Sequence, residues 1–77
     1  MDLNKNPTPG ELVVLKELPP GLLTGLPAED QEAIREIIGK TVRLVEYDDA
    51  GRAEVEFTDR EGAVHSIWVE PRFIASR

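Results

Sequence analysis

Residues 41–74, read as TVRLVEY (41–47), DDAG (48–51), RAEVEFT (52–58), DREG (59–62), AVHSIWV (63–69) and EPRFI (70–74), decide how this chain folds. Three runs alternate apolar and polar residues with period two, the signature of strands that bury one face and solvate the other. In the first run Val42 and Leu44 share one face, and Arg43, Val45 and Tyr47 the other. In the second, Ala53, Val55 and Phe57 point inward and Glu54, Glu56 and Thr58 outward; in the third, Ile67 and Val69 oppose Ser66 and Trp68. Each connection is four residues long, acidic, and carries a glycine, which suits side-chain capping and a left-handed turn position. The three strands therefore form an antiparallel meander. Pro71 cannot donate to a ladder, so the chain turns there, and Phe73 and Ile74 start a last short strand that closes the sheet.

Working back from this stretch, residues 11–18 read as a first strand, with Leu12, Val13, Val14 and Leu15 entered from Pro9-Gly10 and stopped by Pro19-Pro20-Gly21. Leu22, Leu23 and Leu26 lie in a Gly- and Pro-punctuated loop and are expected to plug one end of a barrel. Residues 27–38 predict a short amphipathic helix. Pro27 suits its first position, Glu29, Asp30 and Glu32 face the positive end of its dipole, Ile34, Ile37 and Ile38 share one face, and Gly39 ends it. Residues 1–9 hold a single isolated leucine among polar residues and prolines and read as a flexible arm; residues 10–77 form a single domain.

Composition narrows the function classes. Fifteen acidic residues against nine Lys and Arg give a formal charge of −6, which repels nucleic-acid phosphates and anionic lipid and favours a basic partner. With no cysteine, disulfides, thiolate metal sites and cysteine nucleophiles are excluded. No apolar run approaches the roughly 20 residues of a membrane span, and there is no signal-peptide pattern, so the expected location is the cytoplasm. A domain of this size has little core to spare for a deep ligand cavity.

The order of strand, long loop, three-strand meander, proline turn and short final strand over residues 10–75 resembles the SH3-like class of small barrels, and the chain looks like short uncharacterised bacterial proteins carrying a comparable barrel. Glu70-Pro71-Arg72-Phe73-Ile74 sits where such barrels carry a short helical turn. The resemblance implies a mainly β fold, a five-stranded SH3-like antiparallel barrel with one short α-helix inserted between strands 1 and 2. The clustered tyrosines of peptide-binding members are absent; only Tyr47 and Trp68 stand in their place.

No catalytic residue, metal site or cofactor is assigned. His65 is the sole histidine and reads as a barrel-end residue, and the acidic turns lack calcium-loop spacing. Ser66 and Ser76 lack the setting of an activated nucleophile. The one constellation suggesting a contact surface is Val45, Tyr47 and Trp68, whose parity opposes that of the core, flanked by Arg43 and Glu70. These five are the candidate partner-binding residues of a non-catalytic protein–protein interaction module or accessory subunit. The alternative is a nucleic-acid-binding small barrel, against which Lys16, Lys40, Arg43, Arg52, Arg60 and Arg72 are scattered among acids.

Overall fold

Every inward position of the alternating stretch faces a single core in the computed structural model, which describes residues 6–77. The elements are β1 (Leu12–Leu15), α1 (Ala28–Glu36), β2 (Thr41–Tyr47), β3 (Ala53–Thr58), β4 (Val64–Val69), a 3-10 turn (Pro71–Phe73) and β5 (Ile74–Ser76). All five strands are antiparallel in one sheet ordered β4-β3-β2-β1-β5. The meander β2-β3-β4 follows from two short turns. The long excursion between β1 and β2 returns the chain to pair Val13 with Val42, and β5 adds on the far side of β1, pairing Leu15 with Ile74.

The sheet is mainly β as expected, with one helix between the first two strands, but it is not closed: β5 ends the sheet beside β1 and does not join β4. β5 is only three residues long, entered from the Pro71 turn, and β1 takes up its pairing. The sequence rhythm specified inward and outward faces; it carried no information on whether the two outer strands meet.

The core collects Val13 and Leu15 from β1, Val42 and Leu44 from β2, Ala53, Val55 and Phe57 from β3, Ile67 and Val69 from β4, and Phe73 and Ile74 beyond. Ala33, Ile34 and Ile37 from α1 and its end complete it, and Leu18, Leu22, Leu23 and Leu26 of the long loop pack against its margin. No polar or charged residue is buried among the described residues.

The helix is shorter than the predicted 27–38. Pro27 stands just before its first residue, and after Glu36 the backbone tightens, Ile37 N–H donating to Ile34 O and Ile38 N–H to Arg35 O. Gly39 then adopts a left-handed φ of 83° and donates its N–H to Leu15 O at 2.7 Å, which locks the helix exit to β1. This early stop takes Ile38 off the helical face, leaving it 40% exposed, and Ala33 fills the apolar stripe in its place. Of the residues read as an N-terminal arm, 1–5 lie outside the described part. Within the remainder, Pro7 O accepts a hydrogen bond from the Tyr47 hydroxyl at 2.6 Å, and Gly10 N–H donates to Leu44 O at 2.7 Å. No described helix is long and apolar enough to cross a membrane.

Leu44 is fully buried at the centre of the sheet. Leu44→Ala is expected to lower stability by about 2–5 kcal/mol in urea denaturation, whereas Ile38→Ala should stay within about 0.5 kcal/mol. Equal losses at the two positions would contradict this division between core and surface.

Candidate functional site

The two β-turns that frame β3 are built by one device used twice. Asp48 Oδ1 accepts from the N–H groups of Ala50 and Arg52, and Asp59 Oδ1 from those of Glu61 and Ala63, at 2.8–3.0 Å. Each aspartate is the first residue of an Asp-x-x-Gly connection, so its short carboxylate reaches backbone donors two and four residues on. The second oxygen takes a side chain: Arg52 Nε at 2.8 Å for Asp48, and His65 Nε2 at 2.8 Å for Asp59. Burial works to raise the Asp48 carboxyl, but the Arg52 and Ala50 amides and the Arg52 guanidinium outweigh it and hold the group below its ordinary value. Asp59 is likewise held low, first by the His65 ring and then by the Ala63 and Glu61 amides. His65 also stacks on Phe57, with ring centroids 5.1 Å apart, at the half-buried end of the core face.

The cross-strand register assigns each predicted contact residue to a face. Arg43 lies opposite Glu56, which lies opposite Ser66; Glu46 opposite Glu54, and Glu54 opposite Trp68. These rows form the outer face of the meander, with Thr58 and Val64 as a further row. Between Leu44 and Glu46 the register shifts, leaving Val45 as the extra residue of a β-bulge. Beyond the bulge the parity of β2 is reversed, so Tyr47 lies opposite Ala53 on the core side.

The expectation that Val45, Tyr47 and Trp68 share one outward surface is corrected accordingly. Trp68 is on the outside, Tyr47 is inside, and Val45 is half-buried at the bulge between them. Burial, and then the charge of Glu11, push the Tyr47 phenol above its ordinary value while its hydroxyl ties down Pro7. Glu70 lies past the end of β4, where it pairs with Arg72 at 3.0 Å.

Trp68 is 36% exposed, and the Arg52 guanidinium lies 5.9 Å from its ring centroid, within cation–π range. An indole that already carries a cation, with Glu46 and Glu54 in its own cross-strand row, forms an acidic, aromatic surface.

A second feature escaped the sequence reading. A surface cleft of about 410 Å³ lies between α1 and the β3–β4 turn, lined by the carboxylates of Glu29, Asp30, Glu32, Glu36, Asp59 and Glu61 together with Arg60 and His65. Arg60 spans it to Glu36 at 3.1 Å. The helix acids were legible as partners of the helix dipole and the turn acids as turn formers. Their meeting depends on how the 16–40 excursion folds back, for which no local signal exists. Among the described residues no group of three or more His, Asp or Glu side chains is placed to hold a metal ion.

Because the folded Asp59 carboxyl is held below its unfolded value, its contribution to stability is present above roughly pH 4 and is lost as pH falls through the folded value. Asp59→Asn is expected to lower stability at pH 7 and to flatten the decline below about pH 4, read by thermal melts across the acid range. Tyr47→Phe should cost about 1 kcal/mol and speed amide exchange at Gly10, without altering the Trp68 emission.

No protein-family model, curated protein or solved structure matches this chain.

Proposed function

We propose that the chain is a non-catalytic protein-interaction domain, acting as a binding module or accessory subunit, and that its outer sheet face around Trp68 contacts a basic segment of a partner protein. The observation that carries this reading is the Trp68 indole, exposed in a row with Glu46 and Glu54 and already approached by a guanidinium. Tryptophan is a favoured anchor at protein contacts and the best aromatic acceptor for a cation. Glu46, Glu54 and Glu56 surround it with charge that attracts lysine and arginine and opposes phosphate. Arg43 sits at the margin of the same face, so it sets orientation by pairing with an acidic group of the partner.

The SH3-like assignment belongs to the same proposal. It is supported by the strand order, by the 3-10 turn before the last strand, and by the long excursion between β1 and β2. A chain without cysteine has no need of an oxidising compartment, which is compatible with the cytoplasm.

Trp68 is the sole tryptophan, so its fluorescence reports on this face directly. Titration with a Lys- and Arg-rich peptide is expected to give a saturable emission change that weakens as salt rises, and Glu54→Lys with Glu56→Lys should weaken binding about tenfold or more. An RNA of similar length should not compete. Tight, steeply salt-dependent RNA binding would favour the nucleic-acid reading instead. If Trp68→Ala leaves peptide affinity unchanged by calorimetry while markedly lowering stability, Trp68 serves the fold and the contact assignment fails.

A further inference from the structure

The two outer strands of the sheet are protected to very different degrees. β5 is three residues long, follows a proline turn and carries little edge. β4 is six residues long, contains no proline, lysine or bulge, and carries no charged side chain in a chain with formal charge −6, unless His65 is protonated. Edge strands usually carry one of these blunting devices, because unpaired backbone groups are a template for another strand.

The hydrogen-bond parity of this edge follows from the turn. Asp59 N–H donates to Ala63 O at 2.9 Å, so the pairs stepping back by two, Phe57 with His65, Val55 with Ile67 and Ala53 with Val69, are those that exchange backbone bonds. The N–H and C=O groups of Val64, Ser66 and Trp68 therefore point away from β3, and no described backbone group bonds them. Their side chains lie on the outer face, where Val64 is 64% exposed, the most exposed large apolar residue described.

We infer that β4 pairs antiparallel with β4 of a second copy of this chain, about a two-fold axis at Ser66, to give one continuous ten-stranded sheet. Only this symmetric register uses all three outward-pointing residues. It sets Ser66 opposite the partner's Ser66 and Trp68 opposite the partner's Val64, and the symmetric contact repeats the pair. An aromatic facing a β-branched residue is a favourable cross-strand pair, and it packs the two most exposed apolar groups of β4 side by side while leaving the outer face of the indole to solvent. The charges at the ends of the strand do not oppose it. The turn at one end carries Asp59, Arg60 and Glu61 and the other end Glu70 and Arg72, with Arg60 paired to Glu36 and Arg72 to Glu70 within the same copy. Local charge is therefore nearly balanced, and the repulsion to overcome is that of the net charge. Isologous pairing of this kind closes at two copies. It also sets two outer faces side by side, so that a basic partner meets a bivalent surface; the pairing itself does not depend on what that face binds.

Sedimentation equilibrium of the full chain over a wide concentration range tests the pairing. A reversible dimer is expected, tightening with added salt because each copy carries the same net charge, the opposite of the salt response expected for basic-peptide binding. Val64→Glu, at an exposed position, should weaken association about tenfold or more, since symmetry loses the pair twice and adds a carboxylate to an already acidic face. Ser66→Pro should abolish it by removing an N–H that β3 does not use, and far-ultraviolet circular dichroism and melting confirm that each variant is folded. A wild-type chain that stays monomeric at every concentration and salt overturns the proposal. So does a dimer that folded Val64→Glu and folded Ser66→Pro leave intact, which would place the contact elsewhere.

Discussion

The packing of Ile34 and Ile37 against the inward rows of the sheet is the contact on which the rest of this molecule depends. A chain of 77 residues without cysteine has no cross-link to fall back on, and a single antiparallel sheet has an apolar face that must be covered. α1 and the leucines of the long loop supply that cover, and Gly39 ties the helix exit to β1 through Leu15 O. Because covering material is concentrated on one side, the opposite face of β2, β3 and β4 is left to solvent, and its exposed residues are free to meet other molecules.

A single inserted residue then decides what that solvent face contains. The bulge at Val45 reverses the parity of β2, so that its last aromatic joins the core side and anchors Pro7, while Trp68, on a strand without a bulge, stays outside. Without the register shift, Val45 would stand in the row of Glu54 and Trp68, and Tyr47 would fall on the same face opposite Arg52 and enlarge the aromatic surface. With it, the face becomes one indole among glutamates, a surface better matched to a cation than to a broad apolar partner.

Charge is distributed with equal consequence. The carboxylates of α1 and of the β3–β4 turn converge on one cleft, and those of β2 and β3 line the outer face, while β4 itself carries no acid. Asp48 and Asp59 are set apart from the rest because their oxygens are committed to the turns, and both are held in the ionised form by the donors they bind. As pH falls these two carboxylates stay ionised below the ordinary carboxylate range, and stability is lost when their protonation releases the turn amides, while the more exposed glutamates govern long-range attraction and its screening by salt.

The sequence by itself determined the number and direction of the strands, the placement of the helix within the first connection, the two Asp-x-x-Gly turns, and the inward aliphatic rows. These are local properties: period-two alternation, proline and glycine positions, and side chains that reach only a few residues away. Tertiary structure decided that the sheet stays open, that Tyr47 and Trp68 part company, that Ile38 leaves the helical face, and that acids about 30 residues apart in sequence, such as Asp30 and Asp59, line one cleft. Each of these depends on pairing register or on where a long excursion lands. A bulge leaves no mark in the alternation of the strand that contains it, because the partner strand alone defines which residue is the extra one.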